Sequence, residues 1–229
     1  MLRSVLFVLT SCTTMGTGGA PTGFHLGETA EPWKVLTESD FRIDVATVSG
    51  HPSEMVGYDR GNQDHADFLA DPAVRKKLEN PLNPLHVIPE EYSAIYFVGG
   101  HGAMWDFPAN RLLSTITRTI HENGGVVSAV CHGQAALVNL KEANGKYLVS
   151  GKKLTSFSHE AEVERGLETI VPFSLQHTLQ ERGALYSSAV GRAPHVVTDG
   201  RLVTGQNPAS ATRLAHALVE AHPSGPAES

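Results

Sequence analysis

The stretch that decides the fold reads Val126-Val127-Ser128-Ala129-Val130-Cys131-His132-Gly133-Gln134-Ala135-Ala136-Leu137. Small and β-branched residues up to Val130 predict a strand buried on both faces, as in a parallel sheet covered by helices. Helix-forming residues follow from Gln134. A buried strand that turns into a helix at a nucleophile is typical of a nucleophile elbow, in which the turn lifts the side chain above the sheet. We therefore interpret Cys131 as a nucleophile.

The predicted helix start beside Cys131 favours an activated thiol. Unpaired N–H groups and the positive end of the helix dipole stabilise a thiolate, so the pKa of Cys131 is expected below the value of about 8.5 for a free cysteine. The alternative is a buried structural cysteine, which is the commoner role of a free cysteine. The elbow sequence favours the catalytic interpretation.

Several motifs in a fixed order carry a family resemblance. They are Val98-Gly99-Gly100-His101-Gly102, residues 130–133 and residues 198–210. Together they resemble the ThiJ/PfpI superfamily, which is class I glutamine amidotransferase-like. Residues 22–33 are similar to its branch of glutathione-independent glyoxalases and heat-shock chaperones. The resemblance covers about residues 3–220 and implies an α/β fold with a doubly wound, mostly parallel sheet flanked by helices, flavodoxin-like in arrangement.

The order of predicted elements agrees with this fold. Strands are expected at about residues 4–10, 41–48, 94–98, 126–130 and 153–157, with a hairpin at 196–205 that turns at Asp-Gly. Helices are expected at about residues 28–39, 64–78, 110–122, 171–182 and 210–221. No linker divides the chain, so we expect one α/β domain over residues 1–229, with residues 59–89 as a small insertion or lid.

Composition and net charge narrow the classes of binding partner and the cellular setting. A net charge of −6 over 229 residues, without a basic run, argues against binding to nucleic acid or to an anionic membrane surface. The apolar run at residues 4–9 is shorter than the ~7–15 residues of a secretion signal, and a first strand explains it better. Two cysteines, Cys12 and Cys131, favour a reducing, cytoplasmic setting over a disulfide framework. We expect a small-molecule partner, with a homodimer as one option for assembly.

The Gly-Gly-His-Gly loop ends the strand expected beside the elbow. Glycines there leave the backbone unshielded, so the N–H groups of Gly100 and His132 can converge on one developing oxyanion. The resemblance implies that this pair is the oxyanion hole, and that Gly99, His101 and His25 bind substrate. The alternative is a tight turn that needs glycine only for a positive φ.

The resemblance assigns proton transfer to Glu28, which Pro32 and Trp33 follow at the family's spacing. A carboxyl group beside a thiolate and partly removed from water should have a raised pKa, which suits proton transfer near neutral pH. The alternative is a helix-start carboxylate that stabilises the helix dipole. His25 and Gly27 depart from the commoner Phe-Trp-Leu-Glu-Glu version, which leaves the shape of the pocket open.

A third group should hold His132, and the resemblance places it shortly after Phe157. Relatives carry an acidic residue two or five positions after this aromatic residue, where the present chain has His159 and Glu162. We predict Glu162. Glu160 stays an alternative, and so does a charged helix start with no role in the site.

Twelve histidines raise the question of a metal, since His101, His132 and His159 fall near the predicted nucleophile. None has the spacing of a metal motif such as His-Glu-x-x-His. The Gly-Gly-His-Gly loop also lacks the nucleotide fingerprints G-x-G-x-x-G and Gly-Lys-Ser/Thr. We therefore predict neither a metal nor a cofactor.

The resemblance implies a cysteine-dependent, glyoxalase III-like lyase. It would convert methylglyoxal and related α-oxoaldehydes to hydroxy acids through a hemithioacetal on Cys131, without glutathione. One alternative is a cysteine hydrolase, either peptidase or amidase. A glutamine amidotransferase is disfavoured, because its His-x-Glu would need an acid where this chain has Ala161. The other alternative is a stress chaperone or a redox sensor that oxidises Cys131.

Overall fold

The computed structural model describes residues 3–222, so the predicted domain's ends at residues 1–2 and 223–229 lie outside the described residues. Its strands are β1 (Ser4–Leu9), β2 (Phe24–His25), β3 (Arg42–Thr47), β4 (Met55–Val56), β5 (Ala94–Phe97), β6 (Val126–Val130), β7 (Lys153–Leu154), β8 (Leu185–Tyr186), β9 (Val196–Asp199) and β10 (Leu202–Gly205). Six of them form the central sheet in the order β3-β1-β5-β6-β10-β9. All neighbours pair in parallel except β9, which is antiparallel to β10 across the predicted hairpin. The predicted mostly parallel sheet is confirmed.

Helices cover both faces of this sheet. They are α1 (Gly27–Glu38), α2 (Gln63–Ala70), α3 (Pro72–Glu79), α4 (Ala103–Asp106), α5 (Arg111–Glu122), α6 (His159–Glu164), α7 (Leu175–Glu181) and α8 (Ala211–Ala221). Helices α1 and α8 pack together on one face, and α5 packs on β5 and β6 from the other. Within residues 3–222, none of these helices has the length and apolar character needed to cross a bilayer.

Strand β1 shows why its sequence is apolar without alternation. Leu6 and Val8 belong to the core beneath α5, whereas Val5, Phe7 and Leu9 belong to the core beneath α1 and α8. Each of these five residues therefore meets a helix layer. The carboxyl ends of the parallel strands meet at one edge, where such sheets place their ligands.

The predicted helix at residues 64–78 is wrong as a single element, because it divides into α2 and α3 at Asp71. This residue is extended (φ −68°, ψ 118°), and its side chain accepts a hydrogen bond from the N–H of Ala73. Pro72 is the cause, since the residue before proline avoids helical backbone and proline itself fits the first helical position. Helix α2 packs against α1, and α3 packs against β3. The role of residues 59–89 as a lid stays a prediction, as do the domain limits.

Two further elements are shorter than predicted. Strand β7 ends at Leu154 and pairs with β8 in a separate two-stranded sheet, and α7 begins only at Leu175. Strands β2 and β4 form a second small sheet, which joins the residues just before α1 to residues 55–56. This small sheet positions the start of α1 at the carboxyl edge of the central sheet.

Candidate active site

The predicted elbow is present at the end of β6. Val130 is extended, and Cys131 then has a positive φ of 58°. Residues other than glycine rarely adopt this backbone conformation. The predicted α-helix after it is wrong, because Cys131–Leu137 is a 3-10 segment. All seven residues are buried, and the amide of Gln134 donates to the carbonyls of Ala129, Thr155 and Gly205 at 3.1, 3.0 and 2.8 Å. Packing on the strand ends thus overrides the helix propensity of the sequence.

The Cys131 thiol is buried, and its Sγ lies 3.3 Å from Nδ1 of His132. Burial raises the pKa of this thiol well above its ordinary value, and the carboxylate of Glu28 raises it further. The backbone N–H of His132 lowers the pKa, but by less. The predicted low pKa of Cys131 is therefore wrong, because loss of water and a neighbouring anion outweigh the N–H group at the turn.

Glu28 lies in the first turn of α1 and is fully buried. Within residues 3–222, no hydrogen bond of normal geometry reaches either of its carboxylate oxygens, although the Cys131 thiol and the Gly99 N–H lie close enough to lower its pKa in part. Burial dominates and raises the pKa of Glu28 to about 8, which confirms the predicted direction. Gly99 makes the approach possible, since a Cβ there would stand 2.3 Å from Oε2 of Glu28 and 2.9 Å from Cβ of Cys131.

Glu162, on α6, is held by two histidines. Its Oε2 lies 2.8 Å from Nε2 of His132, and its Oε1 lies 2.8 Å from Nε2 of His101. Burial opposes ionisation, but the hydrogen bonds from His101 and His132 outweigh it and lower the pKa of Glu162 to about 2. The structure thus brings Glu162 to His132, whereas Glu160 is exposed and the ring of His159 packs on His177.

His132 is neutral near pH 7. Burial lowers its pKa to about 4, aided by His101 and opposed by the hydrogen bond to Glu162. The ionised carboxylate requires a proton on Nε2, so we assign the lone pair to Nδ1, which faces the sulfur of Cys131. The ring is packed at 4.0 Å from that of His101 and at 4.5 Å from that of Phe157, measured between ring centroids.

The loop after β5 is seated against the residues before α1. His25 donates its backbone N–H to the carbonyl of Gly99 at 3.0 Å. Gly100 has a φ of 109°, and a Cβ there would stand 2.1 Å from the carbonyl oxygen of Gly23. Position 100 therefore needs glycine for both conformation and space. The role of the Gly100 and His132 N–H groups as an oxyanion hole stays a prediction.

The ring of His25 is not part of the hydrogen-bonded cluster around Glu162. Burial, with a contribution from the nearby His65, lowers the pKa of His25 to about 4. Its Nδ1 has no hydrogen-bond partner among residues 3–222. It packs on Gly57, since a Cβ there would stand 2.5 Å from its Nε2. Its role in binding substrate stays a prediction.

Sequence reasoning missed Arg165. Its guanidinium carbon lies 5.3 Å from the centroid of the Phe157 ring, and its positive charge lowers the pKa values of Glu28, His25 and His132. Arg165 follows Glu162 by three residues, a spacing that places the two side chains near one side of the same turn. This spacing was the sequence feature that could have indicated Arg165.

A metal-capable cluster was also missed. His101, His132 and Glu162 offer ligand atoms that all lie within 4.8 Å of one another. These residues are far apart in the chain, so no local motif reveals them. In the arrangement described, both Nε2 positions are already used in hydrogen bonds to Glu162.

Comparison with known proteins agrees with the motif resemblance. The DJ-1/PfpI family matches residues 20–221. The glutathione-independent glyoxalase HSP31 of Saccharomyces cerevisiae is 32% identical over 235 residues, covering 96% of this chain and 98% of that protein. The structure of the 24 kDa Rapid Encystment Protein of Francisella tularensis superposes with a TM-score of 0.93 at 36% identity, covering 97% of this chain and 100% of that one. Glyoxalase III of Candida albicans gives a TM-score of 0.86 at 30% identity, covering 96% and 97%. The chain belongs to the DJ-1/PfpI family.

Proposed function

We propose that this chain is a glutathione-independent glyoxalase that converts methylglyoxal and related α-oxoaldehydes to hydroxy acids. The observation that carries the proposal is the placement of one buried thiol, Cys131, between a carboxyl group with a pKa of about 8 and a neutral imidazole held by Glu162. Similarity to relatives named as glyoxalases supports the same activity. No cofactor is part of the proposal.

The first step forms a hemithioacetal on Cys131. The reactive state of the Cys131 and Glu28 pair carries one proton, because the two buried groups cannot both be ionised at low cost. The sulfur adds to the aldehyde carbon, and the carbonyl oxygen takes the proton that the pair held. Glu28 is left as a carboxylate beside the new S–C bond.

Glu28 then moves a proton between two carbons. Its carboxylate removes a proton from the sulfur-bearing carbon to give an enediolate and returns it to the neighbouring carbon, while the hydroxyl proton of the hemithioacetal passes to the former ketone oxygen. The first carbon is oxidised to a thioester and the second is reduced from ketone to alcohol, so no external oxidant or reductant is needed. This step requires a group that both accepts and donates near neutral pH, which fits the pKa of about 8.

Hydrolysis of the thioester falls to His132. Its Nδ1 lone pair faces the sulfur and can take a proton from water as the water attacks the thioester carbon. Glu162, ionised and hydrogen-bonded to Nε2, stabilises the imidazolium that forms. The Cys131 thiolate leaves the acyl carbon and recovers a proton from the His132 imidazolium, and the hydroxy acid is released.

Incubation with methylglyoxal and no thiol cofactor tests the proposal. We expect lactate from the native chain and none from Cys131→Ala, with the fold of the variant checked by its circular dichroism spectrum. Absence of lactate from the native chain, or native turnover in the variant, would overturn the mechanism. A matched control is Cys12→Ala, because Cys12 lies outside the cluster and its sulfur hydrogen-bonds the carbonyl of Thr14.

The burial of Cys131, whose exposed fraction is 5%, favours a small aldehyde over a peptide substrate.

The cytoplasmic setting and the homodimer remain predictions. Both cysteines are free, which fits the reducing setting.

A further inference from the structure

A cleft of about 320 Å³ opens beside the candidate active site. Its lining includes Phe157, Arg165, Arg192, Gln206 and Asn207. Cys131 itself does not line the cleft, but Phe157 does, and Phe157 belongs to the same buried cluster as Cys131.

Phe157 connects the cleft to the chemistry. Its ring packs on His132 at 4.5 Å between centroids, and the Arg165 guanidinium lies over the same ring at 5.3 Å. The charge of Arg165 also reaches Glu28, whose pKa it lowers. A molecule that reacts at Cys131 and extends past Phe157 would therefore place its far end among the groups of the cleft.

The charged residues that line the cleft are Arg165, Arg192 and Glu164, so the net charge of its lining is positive. Among residues 3–222, neither Arg165 nor Arg192 has a carboxylate within ion-pair distance, although Glu164 lines the same cleft. The chain as a whole has a net charge of −6. Two unpaired guanidinium groups in one concave space of an acidic protein form a local field that attracts anions.

The segment that carries Arg192 is anchored. Gln206 bonds both backbone groups of Ala189, accepting from its N–H at 2.8 Å and donating to its carbonyl at 3.0 Å. Asn207 donates to the carbonyl of Ala193 at 2.9 Å. Arg192 lies between these two fixed points, so its backbone is held at the cleft, while the amides themselves are occupied. The arginines are left to bind a ligand.

We propose that this cleft is a carboxylate subsite, and that the chain prefers α-oxoaldehydes that carry a carboxylate at the end remote from the aldehyde. Planar guanidinium groups bind planar carboxylates through paired, charge-assisted hydrogen bonds. Methylglyoxal ends in a methyl group beyond its ketone and has no carboxylate with which to use the subsite. This inference rests on the proposed glyoxalase activity and names its substrate class.

Two substrates that differ only in their terminal group test it. 4,5-Dioxopentanoate and 2-oxopentanal share the aldehyde, the ketone and two methylene groups, and differ in a terminal carboxylate or methyl group. We expect kcat/KM to favour the carboxylate by at least about tenfold, mainly through KM, since a hydrogen bond to a charged group is worth that much. The preference should fall in Arg165→Met and in Arg192→Met, and should shrink with added salt. The ratio between the two substrates is the readout, because a general loss of activity cancels in it.

Arg118→Met is the matched control, since Arg118 lies on α5 and does not line this cleft. A ratio near one in the native chain would overturn the subsite, and so would a ratio that survives both cleft substitutions or falls equally in the control. Methylglyoxal turnover is measured in parallel. Lactate formation without any carboxylate preference would refute the subsite and leave the proposed function standing.

A binding measurement keeps the subsite testable if no turnover is found. 4-Oxopentanoate and 2-pentanone lack the reactive aldehyde and differ in the same terminal group. Calorimetry should show tighter binding of 4-oxopentanoate, weakened by Arg192→Met and unchanged by Arg118→Met. Equal binding of the two ketones to the native chain would overturn the subsite independently of catalysis.

Discussion

Two buried glutamates lie near the Cys131 thiol, and they differ in charge. Glu28 has neither carboxylate oxygen in a normal hydrogen bond within residues 3–222, and its pKa is raised to about 8. Glu162 has each oxygen in a hydrogen bond to a histidine, and its pKa is lowered to about 2. Burial is common to both. Hydrogen-bond partners, together with the complete burial of Glu28, therefore decide which carboxyl group keeps its proton.

The difference in pKa suits the two glutamates to different catalytic roles. A group that titrates near neutral pH can give and take a proton during turnover, whereas a group ionised at all working pH values can act only as a fixed anion. Glu28 suits the first task, and Glu162 suits the second. Replacing each glutamate in turn by glutamine tests whether the two residues have these separate roles.

The largest effect is expected from Glu28→Gln. The amide keeps the shape of the side chain but cannot carry a proton between carbons, so turnover of methylglyoxal should fall by about 10²–10⁴-fold. Cys131 should still trap the aldehyde as a hemithioacetal, detected as an adduct in the native mass spectrum of the intact protein. Native turnover in this variant would remove Glu28 from the chemistry and leave it as a helix-start carboxylate.

The same substitution should also change how stability depends on pH. The pKa of Glu28 is raised on folding, so the stability it contributes is complete below the unfolded value near 4.5 and is lost as pH rises through about 8. From pH 5 to pH 8 the native chain should lose about 3 kcal/mol of unfolding free energy through this group, and Glu28→Gln should not. Urea unfolding at both pH values measures the difference. Parallel curves for the two proteins would show that Glu28 is not abnormally basic.

A smaller effect is expected from Glu162→Gln, which keeps a hydrogen-bonding side chain but removes the fixed charge. Turnover should fall by about 10²-fold, at the lower end for acid–base catalysis, because His132 loses the anion that stabilises its charged form. Thioester hydrolysis should become slow, so the acyl-enzyme should accumulate in the mass spectrum. Hemithioacetal accumulation instead would place Glu162 in the proton transfer between carbons.

The sequence predicts the elbow and the partner of His132 for different reasons. The elbow follows from local pattern, because a buried strand that ends just before Cys131 leaves the chain few ways to continue over the sheet. The choice of Glu162 over Glu160 follows from family spacing, and the hydrogen bond to His132 agrees with it. The proline at position 72 also carried enough information to divide α2 from α3.

The charge state of the Cys131 thiol could not be predicted from the sequence. The pKa of Cys131 depends on how close Glu28 comes to the sulfur and on how much water reaches it, and both are set by contacts between distant parts of the chain. The predicted low pKa of Cys131 rested on the N–H groups at the turn and left out the effects of burial and of Glu28 on the thiol. The effect of the Arg165 charge is likewise a property of packing, since Arg165 directly follows α6 and acts on Glu28, which lies on α1.

The missing side chain at position 99 limits how this scaffold can be redesigned. A Cβ there would stand 2.3 Å from Oε2 of Glu28, 2.7 Å from the carbonyl oxygen of Val130 and 2.9 Å from Cβ of Cys131. Even the smallest side chain would wedge the acid away from the thiol or push on the strand end. New substrate scope must therefore be engineered from the Arg165 and Arg192 side of the cavity, with Gly99 retained in every library.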